Sequence, residues 1–110
     1  MPVAVRAKLR ALTEDLGSQA RVAEVLGVSR SRVSRWLRTE EPDADNRRKL
    51  EGAEFVLSRL LSIYDRETAL DWLWGFNAHL GDRRPMQLLA AGRINEVLAA
   101  IDAEESLAYA

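Results

Sequence analysis

Apolar residues in this chain recur at steps of three and four and nowhere alternate with polar ones, which restricts it to helices packed on helices. Val5, Leu9, Leu12 and Leu16 make the first stripe, and Gly17 stops it. Ser18 is placed to cap a short second helix, Gln19 to Leu26, with Val22, Ala23, Val25 and Leu26 on its apolar face. Gly27 follows as a left-handed turn residue, and Ser29 caps a third helix to about Arg38, with Val33, Trp36 and Leu37 turned inward. A polar stretch holding Pro42 leads into a long helix from about Ala44 to Tyr64, striped by Leu50, Ala53, Leu57, Leu60, Leu61 and Tyr64. Another apolar cluster, Thr68 to Trp74, ends at Gly75, and 76–84 reads as a structured loop. Pro85 opens a short helix that ends at Gly92. Ile94, Val97, Leu98 and Ile101 stripe a last helix, and the segment from Asp102 reads as an acidic, weakly patterned tail. The expected fold is all-α: a helix-turn-helix bundle over 1–45, a connecting helix over 46–65 and a small helical domain over 66–110.

Several chemistries are excluded or left without parts. With 110 residues there is room for one ordinary core but not for a deep catalytic cleft beside it. The absence of cysteine removes disulfides, thiolate zinc sites and cysteine nucleophiles. His79, the single histidine, leaves paired-histidine metal sites and a serine–histidine relay incomplete, and reads as a surface or capping residue. Gly75, Gly81 and Gly92 are isolated, so no loop cradles phosphate, and Glu40/Glu41 and Glu104/Glu105 read as solvated charge. No enzymatic activity, cofactor or metal is expected. The longest apolar run, Val97 to Ile101, is far short of the ~20 residues that span a bilayer. Arg6, Lys8 and Arg10 stand where a secretory signal is apolar, so a cytoplasmic protein with no membrane partner is expected.

Charge divides the chain. Residues 1–50 carry eleven Lys/Arg against seven Asp/Glu, whereas 51–110 carry five against ten. A basic front suits an anionic partner, and an acidic rear suits something else. Within the front, Gln19 to Arg38 has the parts of a helix-turn-helix: small Ala23 where the helices cross, Gly27 at the turn, and anchors at Val28, Val33 and Trp36. With the anchors turned in, Arg30, Ser31, Ser34, Arg35 and Arg38 face outward on a basic, hydroxyl-rich surface that carries no acid. Arg30 and Arg35 can present forked donors to guanine N7 and O6, and Ser29, Ser31 and Ser34 can bond bases or phosphates. Gln19 lies at a helix start, where backbone N–H groups meet a phosphate. Arg32 and Arg38 would add sequence-independent affinity. Leu16 to Arg38 resembles the Xre/Cro-type repressor helix-turn-helix, which implies operator DNA as a partner and binding as a homodimer. A lone recognition helix also buries too little for tight binding. The stripe of the long helix either forms the dimer face or is filled within the monomer.

Trp72, Trp74 and Phe76 crowd aromatic surface into five residues of the rear half. Tryptophans two apart on a helix cannot both face one core, so one is expected partly exposed, as interface anchors often are. The run Trp72-Leu-Trp-Gly-Phe-Asn77-Ala-His-Leu80-Gly81-Asp-Arg-Arg-Pro85-Met-Gln-Leu88-Leu89-Ala-Ala-Gly92, then Val97-Leu98, resembles the toxin-binding domain of the Xre/MbcA/ParS-type antitoxins, the mycobacterial ones above all. Phe76 departs from that pattern, which usually has proline before the asparagine. The resemblance implies an antitoxin of a RES-Xre type II toxin–antitoxin system. Such a protein binds a cognate RES-domain, NAD-consuming toxin, obstructs its active site, and represses the shared operon. It implies toxin contacts at Trp72, Trp74, Asn77 and Leu80, a grip from Arg83 and Arg84, and an approach to the NAD pocket by Glu104, Glu105, Leu107 and Tyr109. The competing reading is a stand-alone Xre-type repressor whose rear half only dimerises.

Overall fold

Residues 3–108 are described by the computed structural model, and their caps and stops become helix boundaries. The elements are α1 (Val3–Leu16), α2 (Gln19–Leu26), α3 (Arg30–Arg38), α4 (Ala44–Leu61), α5 (Arg66–Trp74), a 3-10 turn (Ala78–Leu80), α6 (Pro85–Ala90) and α7 (Ile94–Ala108). The fold is all-α, and among the described residues the only extended pairing is an isolated antiparallel bridge between Asn77 and Arg83. Four helix starts have a side-chain acceptor for an otherwise orphaned N–H: Ser18 for Arg21, Ser29 for Arg32, Asp43 for Asn46 and Asp65 for Thr68. Pro85 stands at the first position of α6, where its missing N–H is not needed, and the Gln87 side chain accepts from the Arg84 N–H at 3.1 Å.

Buried side chains form one contiguous cluster from Val5 to Ile101. α1 lies along α4, α2 packs on both α3 and α6, and α7 closes over α4 and α6. Gly27 takes the left-handed conformation (φ 69°) and brings the turn between α2 and α3 against α6, where a Cβ would stand 2.9 Å from the Ala90 carbonyl oxygen. Gly52 lets Ile94 of α7 sit against the backbone of α4, since a Cβ there would land inside the Ile94 side chain.

Three expectations need correction. α4 ends at Leu61 rather than Tyr64, because the Ser62 side chain and the N–H groups of Ser62, Ile63 and Tyr64 turn back onto carbonyls of the last turn. Val56, outside the expected stripe, is fully buried, whereas Leu61 and Tyr64 are half-buried. The segment from Asp102 is no loose tail: α7 continues through it to Ala108. Its order comes from charge as well as from apolar spacing, since Asp102 and Glu105, three apart on one face, both pair with Arg59 of α4.

Replacing Gly27 by Ala is expected to destabilise the fold by about 1–2 kcal/mol, from the left-handed backbone alone. A denaturant midpoint at the wild-type value would contradict both the left-handed turn and the close approach to Ala90. The Asp43 and Asp65 carboxyls are held below the usual carboxylate range, chiefly by the backbone N–H groups of Asn46 and Thr68. A depressed value contributes stability above the unfolded pKa, about 3.9, and loses it as pH falls through the folded one. Urea midpoints should therefore fall below about pH 4, and less steeply in Asp65→Asn, which keeps a cap acceptor without the charge. An acid limb identical in the variant would contradict this.

Candidate functional site

The candidate DNA-facing surface lies on α3 and the start of α2. Val33 and Trp36 are buried, Val28 and Leu37 are half-buried, and Arg6 of α1 donates from Nε to the Trp36 carbonyl at 3.4 Å. Arg30, Ser31 and Arg38 are exposed, while Ser34, Arg35 and Arg32 are half-buried along its flanks. Ser29 Oγ serves as the cap acceptor and lies 3.2 Å from Ser31 Oγ; Gln19 is the first residue of α2 and half-buried. The acid-free surface expected here is corrected by the loop that follows. The Glu40 N–H bonds the Arg35 carbonyl at 3.0 Å, a turn that sets Glu40 Oε2 3.1 Å from Arg35 Nε. Asp43 Oδ2 lies 3.6 Å from Arg32 Nη2, and the Arg32 guanidinium rests over the Trp36 ring at 5.2 Å. Arg30 and Arg38 have no carboxylate partner among the described residues.

In the rear half both Trp72 and Trp74 are half-buried. Trp74 is engaged by α2: its Nε1 donates to Glu24 Oε2 at 2.9 Å, and the Arg21 guanidinium lies 4.8 Å from its ring centre. Trp72 has its Nε1 buried without a hydrogen bond. Asn77 and Leu80 are buried and shape the loop from inside, with Asn77 Oδ1 accepting from the His79 N–H at 2.9 Å. Arg83 donates to the Leu80 carbonyl at 2.7 Å and faces Glu96 of α7 at 3.5 Å. Arg84 stacks over Phe76 at 4.9 Å, and that ring is 73% exposed. On α7, Glu105 is held by Arg59, Glu104 lies 4.0 Å from His79 Nε2, and Leu107 is 65% exposed. Tyr109 lies outside the described residues.

The structure thus gathers Asn77, Leu80, Arg83, Arg84 and Glu104 around the 3-10 turn, and joins Trp74 to α2 instead. Glu24 and Arg21 as partners of Trp74 had no local signal, being about fifty positions away. Phe76 had one, its departure from proline. Leu50, Ala53, Leu57 and Leu60 of the α4 stripe are buried within the chain, leaving Phe55 as the exposed large apolar residue of that helix. Among the described residues no group of three or more His, Cys, Asp or Glu is placed to hold a metal ion, and no helix is long and apolar enough to cross a membrane.

No family model matches the sequence. The chain is 30% identical over 83 residues, 74% of either chain, to the mycobacterial cidal antitoxin MbcA of Mycobacterium bovis, and equally to that of Mycobacterium tuberculosis. Its structure matches a chain from the crystal structure of the M. tuberculosis MbcT–MbcA toxin–antitoxin complex with a TM-score of 0.78 and 28% identity, covering 94% of both chains.

The Trp74–Glu24 bond links segments far apart in sequence and is testable by itself. A double-mutant cycle of Trp74→Phe and Glu24→Ala, read by urea denaturation, is expected to return a coupling of about 0.5–1.5 kcal/mol. Purely additive effects would contradict the bond.

Proposed function

Because this chain belongs to the MbcA family of antitoxins, we propose that it neutralises a cognate RES-domain, NAD-consuming toxin by binding it and obstructing its active site, and that it binds operator DNA to repress its own operon. One observation carries the reading: 94% of the chain, rear half included, follows a chain taken from a toxin–antitoxin complex. A repressor whose rear half only dimerised would need no such likeness there.

Roles divide along the chain as 1–45 for DNA, 46–65 for connection and 66–110 for the toxin. On the DNA side, Arg30, Ser31, Ser34, Arg35 and Arg38 form the outer face of α3, flanked by Gln19, Ser29 and Arg32. The N-terminal end of a recognition helix meets base edges, and phosphates position it. Two half-sites imply a homodimer. On the toxin side, the exposed Phe76–Arg84 stack and Arg83 present an aromatic and two cations, the residue types that dominate interface energetics. Asn77 and Leu80 hold that loop in shape from behind, while Trp72 packs on the core and Trp74 is engaged by α2. Glu104, Glu105 and Leu107, with Tyr109 beyond them, approach the NAD pocket, where acidic side chains answer the positive charge that a pyrophosphate site requires. The protein acts in the cytoplasm by binding alone, without a cofactor or a catalytic step of its own.

Co-expression with the toxin encoded beside it, followed by growth and co-purification, tests both halves. The wild-type chain is expected to restore growth and to co-purify. Phe76→Ala with Arg84→Ala should weaken toxin binding by on the order of 2 kcal/mol and fail to restore growth. Arg38→Ala should restore growth fully yet release an operon reporter from repression. Rescue unaffected by the loop changes, with the toxin left unbound, would overturn the toxin half.

A further inference from the structure

Two of the four arginines on α3 are answered by carboxylates of the same chain. Glu40 faces Arg35 at 3.1 Å and Asp43 faces Arg32 at 3.6 Å. Neither acid is free to leave. The Glu40 backbone is bonded to the Arg35 carbonyl, and the Asp43 carboxylate accepts the Asn46 N–H at 2.8 Å as the cap of α4. Both pairs are solvent-exposed, so a DNA phosphate can displace either one. The displaced carboxylate then stays a few ångströms from that phosphate and repels it. Each pair therefore meets the duplex as a dipole of no net charge, whereas Arg30 and Arg38 meet it as full cations.

We propose that Glu40 and Asp43 are built-in competitors for DNA phosphate, neutralising Arg35 and Arg32 so that sequence-independent affinity rests on Arg30 and Arg38. The inference builds on the DNA-binding reading above. Sequence-independent binding comes from phosphate neutralisation and scales with the number of cations free to release counterions. Base contacts instead reward donor geometry. Holding down the first without changing the fold of α3 keeps the chain from spreading over bulk DNA.

The test is binding of the full chain to a random-sequence duplex over a salt series, with Glu40→Gln, Asp43→Asn, the double variant and Arg38→Gln. Asp43→Asn retains a cap acceptor for α4, Glu40→Gln changes an exposed side chain, and melting curves check that each variant stays folded. Each released arginine should steepen the slope of log K against log salt by about 0.9. The affinity ratio of the double variant to wild type should then grow about twelvefold between 200 and 50 mM salt, and that of Glu40→Gln alone about threefold. Arg38→Gln should make the slope shallower by about 0.9. A shallower slope for Arg38→Gln with unchanged slopes for the acid variants would overturn the inference and leave the DNA reading standing. No effect of Arg38→Gln, or no binding by the wild type, would overturn both.

Discussion

Helix α2 sits between α3 and α6, and its packing on both sides is the constraint from which the rest follows. One part of its apolar face lies under α3, and another meets α6, with the turn at Gly27 set against the Ala90 carbonyl. α2 and α3 have eight and nine residues, too few to hold helical form in water without packing. They draw order from the rear helices, through α6 packed on α2 and Trp74 bonded to Glu24, while Arg66 of α5 bonds from Nε to the Asp15 carbonyl of α1 at 2.8 Å. The direction in which α3 points is accordingly set by residues far behind it in sequence.

Much of this architecture is legible from local chemistry. Serine before an apolar stripe, glycine after it and proline at a helix start each act within a turn of their own position, so α2, α3 and α6 and the end of α1 can be bounded from sequence. What stayed hidden depends on partners that no local pattern names. Gly52 is unremarkable in α4 until Ile94 is laid across it. The last turns of α7 lose their apolar rhythm, and their helicity becomes intelligible only with Arg59 opposite Asp102 and Glu105. For the candidate sites, residue types are readable but engagement is not: the sequence leaves open which of Trp72 and Trp74 faces outward, and both are half-buried, Trp74 against α2, while Asn77 and Leu80 are buried within their loop.

The net charge of −1 conceals a division that the structure sharpens. The front is basic, yet the loop after α3 moderates it with carboxylates placed on two of its arginines. The rear is acidic, yet Arg83 and Arg84 stand exposed on the loop around the 3-10 turn. Each end thus mixes signs, a pattern suited to discriminating between partners rather than to indiscriminate attraction.

The claim at the centre is that one helical core presents separate surfaces to a duplex and to a protein. Amide hydrogen exchange on the chain alone, with operator DNA, and with the toxin would examine it most directly. DNA should slow exchange across the start of α2, the turn at Gly27 and α3, while the toxin should slow it across 76–84 and the outer turns of α7. A single segment protected by both partners, or α3 unchanged in the presence of DNA, would contradict it.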